Sequence, residues 1–218
     1  MSIAAIIFDC DGVLVDSEKI SCSAWLPVLH NHGLNIALAE IEKFIGKSDQ
    51  AVIEYIQYKY KLKLAPDIIA ERQNQYFKMA ANLLQPFAGV HKVISELHKQ
   101  NIKLAVASSG GHPKIAFSLK VAGLTNFFST ICSATEVANG KPAPDLFILA
   151  AQRLGILPQQ CVVIEDSIFG IQAACQANMM SLGFCSSFSA ATLLNAGANG
   201  VFNNYEEFIP CLKKLNDS

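Results

Sequence analysis

The sequence predicts an α/β fold, a parallel sheet wrapped by helices and interrupted once by an all-helical insert. Three observations support this. Short apolar runs rich in Ile, Val and Phe alternate with helical patterns along most of the chain, as expected of parallel strands joined by crossover helices. Two of these runs end abruptly in acid: Ile3–Phe8 runs into Asp9 and Asp11, and Val162–Ile164 into Glu165 and Asp166. From about Asp16 to Leu84 the apolar spacing is helical and no strand is evident. The expected organisation is therefore a core of residues 1–15 plus 86–218 and a helical insert of residues 16–85.

Taken in order, strands are expected at Ile3–Phe8, Lys103–Ala107, Thr130–Cys132, Cys161–Ile164 and Met180–Phe184, with a weak one near Val201. Each is short, apolar and bounded by polar or turn residues. Helices are expected at His91–Gln100, Pro113–Ala122, Pro144–Leu154 and Ile168–Ala177. Pro113 and Pro144 suit first-turn positions, where a missing N–H costs nothing. Within the insert, Ile53, Ile56 and Tyr60 share a helical face, and Ile68–Leu83 is a second helical run. Trp25 reads as core and His30 as surface. An insert placed directly after Asp9 and Asp11 can act as a lid over the carboxyl ends of the strands, where open α/β sheets bind ligands. Inert decoration is the alternative.

Composition narrows the function. The 218 residues are 51% hydrophobic with a mean hydropathy of +0.30, enough for a sizeable core. Seventeen basic and 18 acidic residues give a net charge of −1, with no basic block for nucleic acid. The seven cysteines are odd in number and form no C-x-x-C pair. That pattern argues against a disulfide framework or zinc site and fits a reducing, cytoplasmic setting. No signal-peptide pattern opens the chain. Ser167 to Tyr205 carries no charge, but Gln172, Gln176, Asn178 and several serines interrupt it, short of the roughly 20 apolar residues a membrane span needs. A monomer is expected.

Four strand-end motifs carry the chemistry. Residues two apart in extended chain point the same way, so Asp9 and Asp11 can converge on one object, and Gly12 permits the turn that follows. A converging carboxylate pair serves a hard cation, a shared proton, or attack paired with proton transfer. Ser108-Ser109-Gly110-Gly111 offers hydroxyl and backbone N–H groups suited to phosphate oxygens. Gly140-Lys141-Pro142-Ala143-Pro144-Asp145 places one lysine on a proline-stiffened backbone. Glu165-Asp166-Ser167 closes the set.

In order and spacing these four motifs resemble the haloacid dehalogenase superfamily over essentially the whole chain, including the α-helical cap of its small-molecule phosphatases and β-phosphoglucomutases. The resemblance implies a Rossmann-like core and Mg²⁺-dependent phosphoryl transfer. It assigns Asp9 as nucleophile and Asp11 as acid and base. Ser108 and Lys141 contact the phosphoryl group, Ser109 and Gly110 bind substrate, and Asp9, Asp11 (through its carbonyl), Glu165 (directly or through water) and Asp166 bind metal. An acid at position 11 favours phosphate chemistry over dehalogenation, since a halide leaves unaided. Lys47, in the cap, is a candidate for a substrate anion; His112 and Lys114 are further candidates for holding phosphate. Glu18, at the hinge, can face substrate or charge a helix N-terminus.

Competing readings are weaker. A calcium loop needs its glycine five residues after the first Asp, and Gly12 comes three after Asp9. Gly46-Lys47-Ser48 resembles the end of a phosphate loop, but the required earlier glycine is Ile41. No G-x-S-x-G or G-x-G-x-x-G occurs. Hydrolysis of a small phosphorylated metabolite, a sugar phosphate or sugar-acid phosphate, is therefore expected. A β-phosphoglucomutase is the alternative. Ser21 and Asp49 stand where such mutases carry a histidine and a phosphate-gripping arginine, which weakens that reading. A non-catalytic binding module would fit only if one of the motif residues were missing.

Overall fold

A computed structural model of the chain describes residues 3–45 and 49–216. Strand β1 is Ala5–Phe8. The insert then supplies α1 (Glu18–Ser23), α2 (Trp25–Asn31), α3 (Leu38–Ile41), α4 (Asp49–Tyr60) and α5 (Ile68–Leu83). The core resumes with α6 (Val90–Lys99), β2 (Lys103–Ser108), α7 (His112–Val121), β3 (Thr130–Ser133), α8 (Asp145–Leu154) and β4 (Cys161–Glu165). It closes with α9 (Ile168–Gln176), β5 (Met180–Phe184), α10 (Ala190–Asn195), β6 (Gly200–Phe202) and α11 (Tyr205–Asn216).

The six strands form one sheet in the order β3-β2-β1-β4-β5-β6, every pairing parallel. The chain builds outward from β1 to β3, then returns to the other side of β1 with β4. That reversal leaves a crevice at the carboxyl ends of β1 and β4, where sheets of this order bind ligands. Parallel strands covered on both faces must be apolar on both, and Ala5, Ile6, Ile7 and Phe8 are all fully buried. Ala5 and Ile7 pack with Ala105, Val163, Leu146 and Phe147 on the α8 side. Phe8 faces the other way, its ring 6.0 Å from Phe128 and 6.1 Å from Phe208. Burying each large side chain contributes roughly 1.5–3 kcal/mol, so the sheet is a rigid platform.

Strands β2, β3 and β4 each run one residue past their expected ends. Ser108 pairs with Ser133 and Glu165 with Gly183 in the ladder, because backbone pairing continues although the side chain turns polar. Pro113 lies in the first turn of α7, whereas Pro144 precedes α8 as its N-cap.

The chain forms two compact units, Met1–Asp16 with Gln85–Ser218, and Ser17–Leu84. The second has its own core, in which Trp25, Leu29, Ile41, Ile53, Ile56 and Ile68 pack together. His30 is exposed. No helix among the described residues is long and apolar enough to cross a membrane, and all seven cysteines are free.

Candidate active site

The site grows from the point where β1 stops. Phe8 is held between Val106 and Ile164, and the Asp9 N–H donates to the Ile164 carbonyl at 2.9 Å. Asp9 is thus carried on the sheet, its side chain almost completely buried. A buried carboxylate is costly unless paired. Its partner is Lys141, whose Nζ lies 2.6 Å from Asp9 Oδ1, 2.6 Å from Glu165 Oε1 and 3.1 Å from the Ala107 carbonyl.

One buried ammonium therefore faces two buried carboxylates, a surplus of one negative charge. Burial pushes the Asp9 carboxyl up to about 7; Lys141 pulls it back, and the Glu165 and Asp11 charges add to the upward push. Burial also works against the Lys141 charge, but Asp9 and Glu165 outweigh it and raise this lysine above its ordinary value. The two shifts have different causes: burial outweighs the pull of Lys141 on Asp9, whereas the facing carboxylates outweigh burial at Lys141.

Glu165, expected to bind metal directly or through water, has both carboxylate oxygens engaged by protein groups. Oε1 is taken by Lys141, and Oε2 accepts from the Asp166 N–H at 3.0 Å, the Ser167 N–H at 2.9 Å and Ser167 Oγ at 2.8 Å. Ser167 Oγ in turn caps α9 by accepting from the Gly170 N–H at 3.0 Å. With both oxygens so engaged, Glu165 fixes the lysine and the loop that carries Asp166.

Asp166 packs its carboxylate against Gly12. Gly12 has φ +74°, and a Cβ there would overlap Asp166 Oδ2. This site admits only glycine. Ser187 Oγ donates to Asp166 Oδ2 at 2.5 Å, and Ser186 Oγ donates to the Gly12 carbonyl at 2.5 Å. Both serines follow β5 and stand outside the four motifs; their signal in the sequence is two adjacent hydroxyls just past a strand end. The Tyr205 hydroxyl, buried and donating to the Val13 carbonyl at 2.8 Å, anchors the turn after Gly12. The Cys10 thiol between the two aspartates is pushed up chiefly by burial and is unreactive in that form.

The β2 turn supplies the remaining groups. Ser108 is buried and its Oγ accepts from the Gly110 N–H at 3.1 Å. Ser133 Oγ fixes the same turn by donating to the Gly110 carbonyl at 2.8 Å. Ser109 is exposed at the tip. Lys114 Nζ lies 2.8 Å from Asp11 Oδ2. His112, a candidate for holding phosphate, approaches Glu136 at 2.8 Å.

Asp9, Asp11, Ser108, Gly110, Lys141, Glu165 and Asp166 thus gather at one end of the sheet. Lys47, with Gly46, lies outside the described residues. Within the insert, Asp49 Oδ1 is 3.5 Å from Arg72 Nε, and Arg72 donates to the Ser21 carbonyl at 3.1 Å. The Asp49 charge is therefore offset by a neighbouring cation, which removes part of the electrostatic argument against a second phosphate there.

A hard cation suits the donors near Gly12. Asp9 and Asp166 offer carboxylate oxygens and Asp11 a carbonyl, with no sulfur or imidazole ligand required. No cluster of three or more His, Cys, Asp or Glu side chains that could hold a metal is present among the described residues. The set suits an ion that keeps several waters, as Mg²⁺ does.

Residues 6–184 match the family model of the haloacid dehalogenase-like hydrolases. The chain is 35% identical over 202 residues to Protein SUPPRESSOR OF QUENCHING 1, chloroplastic, of Arabidopsis thaliana, covering 89% of this chain but only 19% of that longer protein. It is 34% identical over 178 residues to the fructose-1-phosphate phosphatase YqaB of Escherichia coli, covering 81% of this chain and 93% of that one. Among solved structures, a hydrolase from Deinococcus radiodurans with bound phosphate and sodium superposes with a TM-score of 0.80 at 32% identity, covering 97% and 96% of the two chains.

Proposed function

The chain belongs to the haloacid dehalogenase-like hydrolases, and on that premise we propose that it hydrolyses a small phosphomonoester, a sugar phosphate or sugar-acid phosphate, with Mg²⁺ and through an aspartyl phosphate at Asp9. The observation that carries this reading is the buried Asp9–Lys141–Glu165 set beside Asp11 and the Ser108–Gly110 turn. Similarity to a sugar-phosphate phosphatase and to a structure with bound phosphate supports it.

In the first half-reaction an Asp9 carboxylate oxygen attacks phosphorus, and the bond to the ester oxygen breaks. Lys141 holds Asp9 Oδ1, which orients the carboxylate and leaves attack to Oδ2. Asp11 gives its proton to the departing oxygen. In the second half-reaction water attacks the same phosphorus and gives a proton to Asp11; the bond to Asp9 breaks, and inorganic phosphate leaves. Ser108 Oγ and the N–H groups of the following turn hold phosphoryl oxygens, and Lys141 offsets their charge. Bound Mg²⁺, held by Asp9, Asp166 and the Asp11 carbonyl, would neutralise charge between two anions that otherwise repel.

Asp9→Asn tests the nucleophile. Activity is expected to fall at least ~10³-fold while the circular dichroism spectrum stays that of the wild type; retained turnover refutes the assignment. A panel of phosphorylated sugars and sugar acids with Mg²⁺, scored by released phosphate, identifies the substrate. β-Glucose 1-phosphate belongs in it, because a mutase would return the 6-phosphate isomer instead of inorganic phosphate.

A further inference from the structure

Outside the Lys141 set, one ion pair among the described residues reaches into the site. Lys114 stands on the first turn of α7, six residues after Ser108, and its Nζ is 2.8 Å from Asp11 Oδ2. Both side chains are largely buried, about 23% and 18% exposed, so the pair is better sheltered than the surface ion pairs that contribute nothing measurable. It also has a defined place. A Cβ built on Gly110 would lie 3.4 Å from Lys114 Cδ, 3.6 Å from Ser108 Oγ and 3.8 Å from Asp11 Oδ2. The lysine stem therefore runs along the turn that presents Ser108, and its head ends on the aspartate.

Asp11 needs such a tether. It lies beyond the end of β1, at the start of a turn held through backbone contacts: a bridge to Val15 and the Ser186 and Tyr205 hydroxyls on the Gly12 and Val13 carbonyls. A side chain that must reach a leaving oxygen within hydrogen-bond range loses rate steeply when its rotation is uncontrolled. We propose that Lys114 is a positioning residue for Asp11: by binding Oδ2 it fixes the rotation of the carboxyl group and assigns proton exchange with the leaving oxygen to Oδ1. This rests on the phosphatase reading above and goes beyond it by giving the acid a dedicated partner from another element.

Two other roles fit the same lysine and predict different kinetics. If Lys114 held phosphoryl oxygens, its loss would slow every phosphate ester alike. If it were only a surface ion pair, its loss would change no rate. A positioning role predicts dependence on the leaving group, because an alkyl alkoxide needs a proton and p-nitrophenolate does not. The quantity to compare is kcat/KM, which reports binding and the first phosphoryl transfer and is unaffected by breakdown of the intermediate.

The experiment measures kcat/KM of Lys114→Met and Lys114→Arg on p-nitrophenyl phosphate and on the best of fructose 1-phosphate, glucose 1-phosphate and glucose 6-phosphate. The expected result for Lys114→Met is a loss of at least ~10-fold on the sugar phosphate, part of the roughly 10²–10⁴-fold that general acid catalysis supplies, and less than ~3-fold on the aryl ester. Lys114→Arg should recover part of the loss. In an Asp11→Asn background, Lys114→Met should add little on the sugar phosphate, since the two residues act as a unit. Equal losses on both substrates, or no loss on either, overturn the inference and leave the phosphatase reading intact. Wild-type protein inactive on every ester would sink both. A thermal melt of each variant separates misfolding, which would depress both substrates together.

Discussion

Gly170 shows how one missing side chain organises the site. It is buried inside α9, where glycine normally weakens a helix by about 1 kcal/mol relative to alanine. A Cβ here would overlap the Glu165 carboxyl group, and a steric clash of that size outweighs any gain in helix propensity. Gly170→Ala is therefore expected to destabilise the protein by about 1–3 kcal/mol. It should also cut turnover at least ~10-fold by displacing the carboxylate that orients Lys141. A thermal melt with phosphate-release kinetics checks both; a more stable and fully active variant would show that Glu165 does not fill the space under α9. The same residue explains a limit of the sequence. The motif Glu165-Asp166-Ser167 announced acids at a strand end but not which way each faced. Direction was set by the α9 N-terminus and by Lys141 from a distant loop, and the available signal was a glycine kept inside a helix.

At the level of elements, what was legible followed from burial. Strands β1, β2, β4 and β5 are short, apolar and closed by polar residues, so their positions could be read directly. Helix α11 lies outside the helices the sequence assigns, because Pro210 interrupts it and proline ordinarily marks a helix end. The link between β3 and α8 was also invisible, since it depends on residues 17 positions apart meeting in space. Glu136, in the short turn after β3, lies 2.6 Å from Arg153 of α8 and accepts from the Ser133 N–H at 2.8 Å. Arg153 first, then that backbone bond, pulls the Glu136 carboxyl down to about 2. A carboxyl depressed by folding adds stability above its unfolded pKa, and that contribution fades as pH falls toward the folded value. Glu136→Gln should therefore melt lower than wild type at pH 7, by no more than about 4 °C for so exposed a pair. The difference should shrink as pH falls from the ordinary glutamate value of 4.5 to about 2, and a gap that widened on acidification would reverse the assigned sign.

For the molecule as a whole, the decisive feature is that the chain leaves and re-enters the core at one point. The Asp16 N–H donates to the Gln85 carbonyl at 3.0 Å, and Val15 forms an antiparallel bridge with Pro86. Among the described residues of Ser17–Leu84 none forms a strand of the sheet, and the apolar cluster of that segment is drawn from its own residues. The candidate chemical residues Asp9, Asp11, Ser108, Lys141, Glu165 and Asp166 all belong to the other unit. Closing a gap between adjacent ends costs little loop entropy. A chain with Asp16 joined to Gln85 by a short Gly-Ser link is therefore expected to melt cooperatively and keep its near-ultraviolet circular dichroism. If the insert is what selects among substrates, this shortened protein should still hydrolyse p-nitrophenyl phosphate within about 100-fold of wild type, an allowance of about 2.7 kcal/mol in the barrier. Its preference among sugar phosphates should flatten. A shortened protein that folded yet kept the wild-type ranking of sugar phosphates would place selectivity in the core and leave the helical insert without that role.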